Sequence, residues 1–424
     1  MNAADRQAAP AIGFATAALN TRIAFLVELA RRLHQYGTTA PRLEGAMSSA
    51  AQRLGLTAEV WSSPTAIIVS FADLAQGEEG VAQVTQVMRL PPGDVNLGRL
   101  VEADRIADGV IDGKIDLREG FRLLRALGAP ESARAHAAVI ASYGLAAATV
   151  VGLLLHSSWV DLLTAGFIGV VIGAITVLSV SRPRLSVASE AISALVATLI
   201  ATLVSAYIVP LALKSVILGS LIVLLPGMAL TTAVREISSQ HLVSGVARMG
   251  GAVATLLKLT FGTVAATQVC AALGVVPRDY ALPALPGWAD WPTLIVGAFA
   301  FAILFRAARR DWPVVMAAVV LGYLTTRWGG AISGAPFGVF VGGILLGALS
   351  NLYARFAHQP GAVVREPGII LLVPGSVGFR SVSYLLDRDA VLGMDTGLLL
   401  ITLLGSLVAG LLFGDLLISP RRSL

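Results

Sequence analysis

Cysteine is almost absent. Cys270 stands alone in 424 residues, which excludes an intrachain disulfide and any cysteine-built zinc cluster. Charge is scarce as well: Asp, Glu, Lys and Arg make up 13% of the chain, against roughly 25% in soluble domains, so an ordinary cytosolic enzyme is excluded. The five histidines (His34, His136, His156, His241, His358) are scattered, and none pairs at helical spacing. No G-x-x-x-x-G-K-[ST], H-E-x-x-H or G-x-S-x-G sequence occurs, so nothing supports ATP-driven pumping by this chain alone or metal-dependent membrane proteolysis. No cofactor and no metal is expected. The opening stretch, MNAADRQAAPAIGF, lacks a long apolar run behind a basic start, so no cleaved signal peptide is expected and the first third should stay cytosolic.

What is present is apolar: 56% of residues are hydrophobic and the mean hydropathy is +0.78. The charge is unevenly spread. Residues 1–135 carry 14 Lys/Arg and 15 Asp/Glu, a net of −1, while residues 136–424 carry 17 and 11, a net of +6. A basic excess confined to loops between apolar runs orients a membrane protein and does not point to nucleic acid. The expected architecture is a polytopic α-helical membrane protein with an N-terminal soluble α+β head.

A helix crosses a bilayer with roughly 20 apolar residues. Ten candidates lie near 137–155, 160–180, 188–209, 215–235, 246–274, 292–305, 313–326, 332–350, 368–386 and 394–414. The sixth and seventh are short and flank RAARRDW (Arg306 to Trp312); two spans are preferred to a re-entrant pair. With the head inside, the inner loops and tail carry 11 Arg (182, 184, 235, 248, 306, 309, 310, 355, 365, 421, 422), and the outer loops carry only Lys214, Arg278, Arg327 and Arg388. That bias predicts both termini inside and an even number of spans.

The fourth span contains LLPGMALTTAVRE (Leu224 to Glu236) and the ninth LLVPGSVGFRSVSYLL (Leu371 to Leu386). Each has a Pro-Gly pair after an aliphatic run, then small or hydroxyl residues, then Arg. Fourth and ninth are equivalent positions in two sets of five, and five is odd, so the second set must run opposite to the first: two inverted five-helix repeats. The expected divisions are a head at 1–135, a first half at 136–275 and a second half at 276–424.

Proline removes an N–H and glycine relaxes the backbone, and the freed polar groups must line protein or a watery cavity. Pro226-Gly227 and Pro374-Gly375 are therefore expected to form a polar substrate site between the halves, with Thr231, Thr232, Ser376, Ser381 and Ser383 adding hydroxyls. Arg235 and Arg380 supply a positive charge on either side, which suits a carboxylate; Arg235 reads equally as a positive-inside anchor. Pro-Gly pairs also merely kink membrane helices. Glu190 and Asp415 are candidates to carry a proton, with placement near the interface as the plain alternative. Lys258 could pair with Glu190, meet a substrate carboxylate or snorkel to the surface. The G-x-x-x-G spacings at Gly169–Gly173, Gly343–Gly347 and Gly410–Gly414 read as close helix packing.

In the head, helices are predicted at 20–36 (ending at Gly37), 40–54 (ending at Gly55), 97–111 and 116–127. Ala58 to Asp73 reads as a hairpin about Ser63-Pro64, and Val84 to Leu90 as a third strand. No catalytic constellation is present, and Arg42, Glu44, Arg99 and Asp104 read as surface or packing features.

YGTTAPRLEGAMSSAAQRLGL (Tyr36 to Leu56), SSPTAIIVSF and VMRLPPGDVNLGRLVEADRIADGVIDGKIDLREGFRLL, together with the Pro-Gly segment before Arg235, SGVARMGGAV (Ser244 to Val253) and LLVPGSVGFRSV, resemble the threonine/serine exporter family over nearly the whole chain. Thr38-Thr39 departs from the Ala-Glu or Ala-Pro of many relatives. The resemblance implies a ten-span exporter of threonine and serine in the bacterial inner membrane, driven by the proton motive force. Two-polypeptide relatives imply dicarboxylate export as the alternative; a membrane-anchored enzyme with a catalytic head is a third reading, and a channel a fourth. The implied partners are a small-molecule substrate, protons and the lipid bilayer, with no nucleic acid. Self-association stays open, as does the head's role in gating, regulator binding or oligomerisation.

Overall fold

The computed structural model describes residues 18–74, 84–280, 282–386 and 389–420. Arg388, Arg421 and Arg422, counted in the charge bias above, lie outside them.

The head begins with α1 (Leu19–Gln35) and α2 (Ala40–Arg53), followed by β1 (Leu56–Ser63), β2 (Ala66–Asp73) and β3 (Val84–Arg89), and then α3 (Leu97–Ile111) and α4 (Leu117–Ala126). Gly37 and Gly55 end the first two helices in the left-handed region, at φ +81° and +74°, where a side chain is costly. Asn96 and Asp116 cap α3 and α4 by accepting the amides of Arg99 and Arg118 at 3.1 and 2.9 Å, satisfying donors that a helix start leaves free. The strands form an antiparallel sheet in the order β1-β2-β3. Alternation places Ile67, Val69 and Phe71 on its buried face, under α1 and α2. Trp61 and Val87 stay exposed.

The membrane body follows as α5 (Ala133–Thr149, extended by a π turn to Leu154), α6 (Trp159–Val180), α7 (Pro183–Tyr207), α8 (Leu213–Ser220), α9 (Gly227–Ser238), α10 (Leu242–Ala272), α11 (Asp290–Leu304), α12 (Trp312–Ser333), α13 (Ala335–Ala357), α14 (Ala362–Ile369), α15 (Gly375–Leu386) and α16 (Ala390–Leu417). Among the described residues, eight helices are long and apolar enough to cross a membrane, or nine when the bent pair α8 and α9 counts as one span. The protein is thus a polytopic helical membrane protein. The difference from ten uninterrupted spans falls on the two Pro-Gly segments. The fourth bends by 51° between its halves, and the ninth is divided into α14 and α15 by a turn at residues 370–374. The sixth and seventh candidates are both long helices, Gly287–Leu304 and Arg309–Ser333. The seventh runs past the expected end at Thr326, so Arg327 lies in its last turns and not in a loop; it pairs with Asp290 at 3.1 Å.

The packing partners recur. In the first part α5 packs on α6, α6 on α7, and α10 on both α7 and α9; in the second α11 packs on α12, α12 on α13, and α16 on both α13 and α15. Across the two parts, α5 packs on α11, α9 on α16 and α10 on α15. Small residues set the closest crossings. A Cβ on Gly343 would meet the Leu407 carbonyl oxygen at 3.0 Å and the Gly410 Cα at 3.1 Å, and one on Gly347 would meet the Gly414 Cα at 3.2 Å, so α13 and α16 touch backbone to backbone. Gly343→Val is expected to cost about 1–3 kcal/mol by overpacking, read as a lower unfolding temperature of the detergent-solubilised chain; an unchanged temperature would show that the crossing yields freely.

Candidate functional site

The two broken segments meet each other. A Cβ on Gly227 would lie 3.0 Å from the Gly375 amide nitrogen and 3.1 Å from its Cα, and the reciprocal distances from Gly375 to Gly227 are the same. Only glycine permits that approach on both sides. Each glycine is the first residue of a half-helix, α9 or α15, whose preceding proline cannot extend the helix backwards as a donor.

A helix start leaves its first amides without intrahelical acceptors. The amides of Met228, Ala229, Gly375 and Ser376 have no hydrogen-bond partner among the described residues. All four residues line one cavity of about 500 Å³. Its wall also carries Tyr143, Thr176, Ser189, Glu190, Thr255 and Arg306, and it reaches the head at Asp94 and Val95. Two helix N-termini, each the positive end of its dipole, therefore open into a chamber whose mainly apolar wall carries a few polar and charged side chains.

Of the residues singled out in the sequence, Pro226, Gly227, Gly375, Ser376 and Glu190 line this cavity. Pro374 is buried beside it at the α15 start. Glu190 sits 3.6 Å from Lys258, whose ammonium also donates to the Val187 carbonyl at 3.1 Å, so the suspected pair is formed. Thr231 points back into its own helix, donating to the Gly227 carbonyl at 3.1 Å. Thr232 is half-buried outside the cavity wall. Ser381 donates to the Gly393 carbonyl at 2.7 Å, while the buried Ser383 hydroxyl has no partner among the described residues. The structure does not bring the two arginines to the breaks. Arg380 is exposed on α15. Arg235 lines a second cavity of about 600 Å³, between the head and the membrane body, with Arg42, Arg365, Glu236 and Asp415.

This second region holds residues whose roles the sequence left unread. Glu236 is 1% exposed. It accepts the Ala40 amide at the start of α2 at 3.1 Å and the Ser244 hydroxyl at 2.8 Å, and it takes Nε and Nη2 of Arg248 at 3.2 Å each. Glu44 accepts the Ser62 amide and hydroxyl and reaches His241 at 3.1 Å. On the other side of the head, the amides of Leu97 and Gly98 donate to the carbonyls of Phe305 and Arg306 at 2.9 and 3.0 Å, which joins α3 to the end of α11. Asp415 accepts from Asn351 at 2.7 Å. Asp104, taken in the sequence for a surface or packing residue, is 5% exposed and its Oδ1 has no hydrogen-bond partner among the described residues. The only sequence signal was its place on the apolar stripe of α3. Among the described residues, no cluster of three or more His, Cys, Asp or Glu is placed to hold a metal.

A threonine/serine exporter family model matches residues 24–270, and a second, described as "Threonine/Serine exporter, ThrE", matches residues 293–417. The chain belongs to the threonine/serine exporter family. Curated relatives include pheromone-regulated membrane protein 10 of Eremothecium gossypii, 24% identical over 368 residues that cover 84% of this chain and 48% of that protein. An uncharacterized protein of Schizosaccharomyces pombe is 22% identical over 83% of this chain and 43% of its own. The pheromone-regulated membrane protein 10 of Candida albicans is 26% identical over 84% and 33%. The chain spans about half the length, or less, of these fungal relatives. No solved structure matches.

Burial pushes the Asp104 carboxyl from 3.8 up to about 7, against the pull of the nearby Arg42. Between those values the folded chain binds more protons than the unfolded chain, so this group's contribution to stability falls as pH rises through that window and is fully lost above it. Asp104→Asn is expected to flatten that part of the pH dependence and to raise the unfolding temperature above about pH 8 relative to the wild type. Parallel pH profiles of wild type and variant would contradict the assignment.

Proposed function

We propose that this member of the threonine/serine exporter family is a secondary active exporter of small amino acids, threonine and serine first, that binds its substrate in the cavity where α9 and α15 begin. The observation that carries this reading is the set of four unpartnered amides at two touching helix starts. Such a pair is suited to a carboxylate, because fixed N–H groups and two positive helix ends replace its hydration without a buried counter-charge. Discontinuous helices that present their N-termini to an anionic substrate group are a recurrent device of secondary transporters. In this reading Ser376 and Thr255 serve the substrate's polar end, and Glu190 exchanges Lys258 for the substrate ammonium and carries the coupled proton.

The two sets of matched packing partners, each with a break at its fourth segment, support an inverted repeat. The Lys/Arg bias supports a cytosolic head. The cavity reaches the head at Asp94 and Val95, which supports a chamber loaded from that side. A dicarboxylate would take its second counter-charge only by parting Arg306 from Glu131 or Lys258 from Glu190, so the amino acid is the favoured substrate.

Gly375→Val fills the contact between the breaks. In proteoliposomes it is expected to lower threonine counterflow by about tenfold or more, with the unfolding profile retained; wild-type flux would refute the site. Glu190→Gln is expected to weaken threonine counterflow, because the ammonium loses its counter-charge, and to lose the acceleration of export by a proton gradient; coupled export by this variant would remove Glu190 from the coupling role. Succinate, run beside threonine in both assays, separates the two substrate classes.

A further inference from the structure

The cavity between head and membrane body shares no lining residue with the one at the breaks. Three guanidinium groups from three separate segments line it: Arg42 at the start of α2, Arg235 in the last turn of α9 and Arg365 on α14. Arg42 and Arg235 make no hydrogen bond or ion pair within 4.0 Å among the described residues. Arg365 has only its chain neighbour Glu366, at 3.7 Å, and its buried Nε has no hydrogen-bond acceptor. Of the two acids in the wall, Glu236 is saturated by Arg248, Ser244 and the Ala40 amide, and Asp415 is held by Asn351. Thr39, Ser48, Ser49, Gln52 and Ser239 add polar groups to the lining. Burial lowers the pKa of Arg42; Asp104 opposes that shift and the field of Arg365 adds to it.

We propose that this cavity binds a small, doubly charged oxyanion, a dicarboxylate or a phosphate, held between the head and both broken segments. Half-buried guanidiniums that converge beside acids already engaged by other partners repel one another, and a dianion reverses the sign of that interaction; arginine forks also match the paired oxygens of carboxylate and phosphate. A zwitterionic amino acid leaves the excess positive charge in place. The ligand would span three moving parts. Arg42 belongs to the head, Arg235 to the second half of the fourth segment and Arg365 to the first half of the ninth. Occupancy therefore fixes the head against both half-helices and serves regulation rather than translocation. The site does not depend on the substrate reading above, and its test reads binding, not transport.

The test is titration of the full-length, detergent-solubilised chain with inorganic phosphate, succinate and threonine, followed by calorimetry and by the unfolding temperature. Phosphate or succinate is expected to bind and to raise the unfolding temperature, and Arg42→Gln and Arg365→Gln are each expected to weaken binding by about tenfold or more. Either variant suffices where the other fails to fold, as judged by size-exclusion profile. Arg42→Lys is expected to restore part of the affinity. Binding of threonine alone, dianion binding unchanged in the folded variants, or no binding of either dianion overturns the proposal. Repeating the titration in phosphatidylglycerol and phosphatidylcholine nanodiscs checks the source: equal binding in both supports a soluble dianion, and suppression by phosphatidylglycerol alone, whose phosphodiester carries a single charge, overturns the dianion in favour of a lipid headgroup.

Discussion

The site at the breaks depends on the contact between Gly227 and Gly375, where two interrupted segments touch through bare backbone. Peptide groups that lose their helical partners cannot face lipid, so each break must be covered by something polar or by other protein. Here each break covers the other. The contact fixes where α9 and α15 start, and the starts decide where unpartnered amides accumulate. The surrounding helices, held by glycine crossings such as that of α13 on α16, keep the chamber from collapsing onto itself.

The head depends on a different kind of bond. A fully buried carboxylate, Glu236, belongs to α9 but finishes the first turn of α2 in the head, while Arg248 of α10 neutralises it. Removing one member of such a set leaves the other charge uncompensated, at a cost of about 3–5 kcal/mol. The joint therefore ties the head to the half-helix that borders the cavity at the breaks. Any shift of α9 must move Glu236 and, through it, the start of α2. The cavity lined by Arg42, Arg235 and Arg365 lies along this same joint, so it borders the head and both half-helices.

Much of this was legible along the chain. Apolar runs between charges located most of the apolar helices, although the seventh and eighth run on to Ser333 and Ala357, past the expected Thr326 and Ser350, and Gly37 and Gly55 marked helix ends in the head because turn chemistry is local. The Pro-Gly pairs marked the breaks for the same reason. The arginines misled. Arg235 and Arg380 follow the breaks closely in sequence, which suggested that they share a site with them. A side chain eight or five residues along a half-helix instead points where the helix face directs it: Arg235 toward the head, and Arg380 to the exposed side. Arg42 carried no local mark, and Asp104 only its place on the apolar stripe of α3, since their burial comes from packing against distant segments.

The sequence by itself determined the type and order of the elements, the apolar body, the α+β character of the N-terminal region and the two places where a helix could not continue, because each follows from side-chain chemistry over a few neighbouring residues. Only the tertiary structure decided that the two interruptions face one another, that Glu236 serves a helix in the head, and that three arginines far apart in the chain share one cavity. Contacts between remote segments depend on how helices cross, and a crossing is set by packing over whole surfaces, which no local pattern contains.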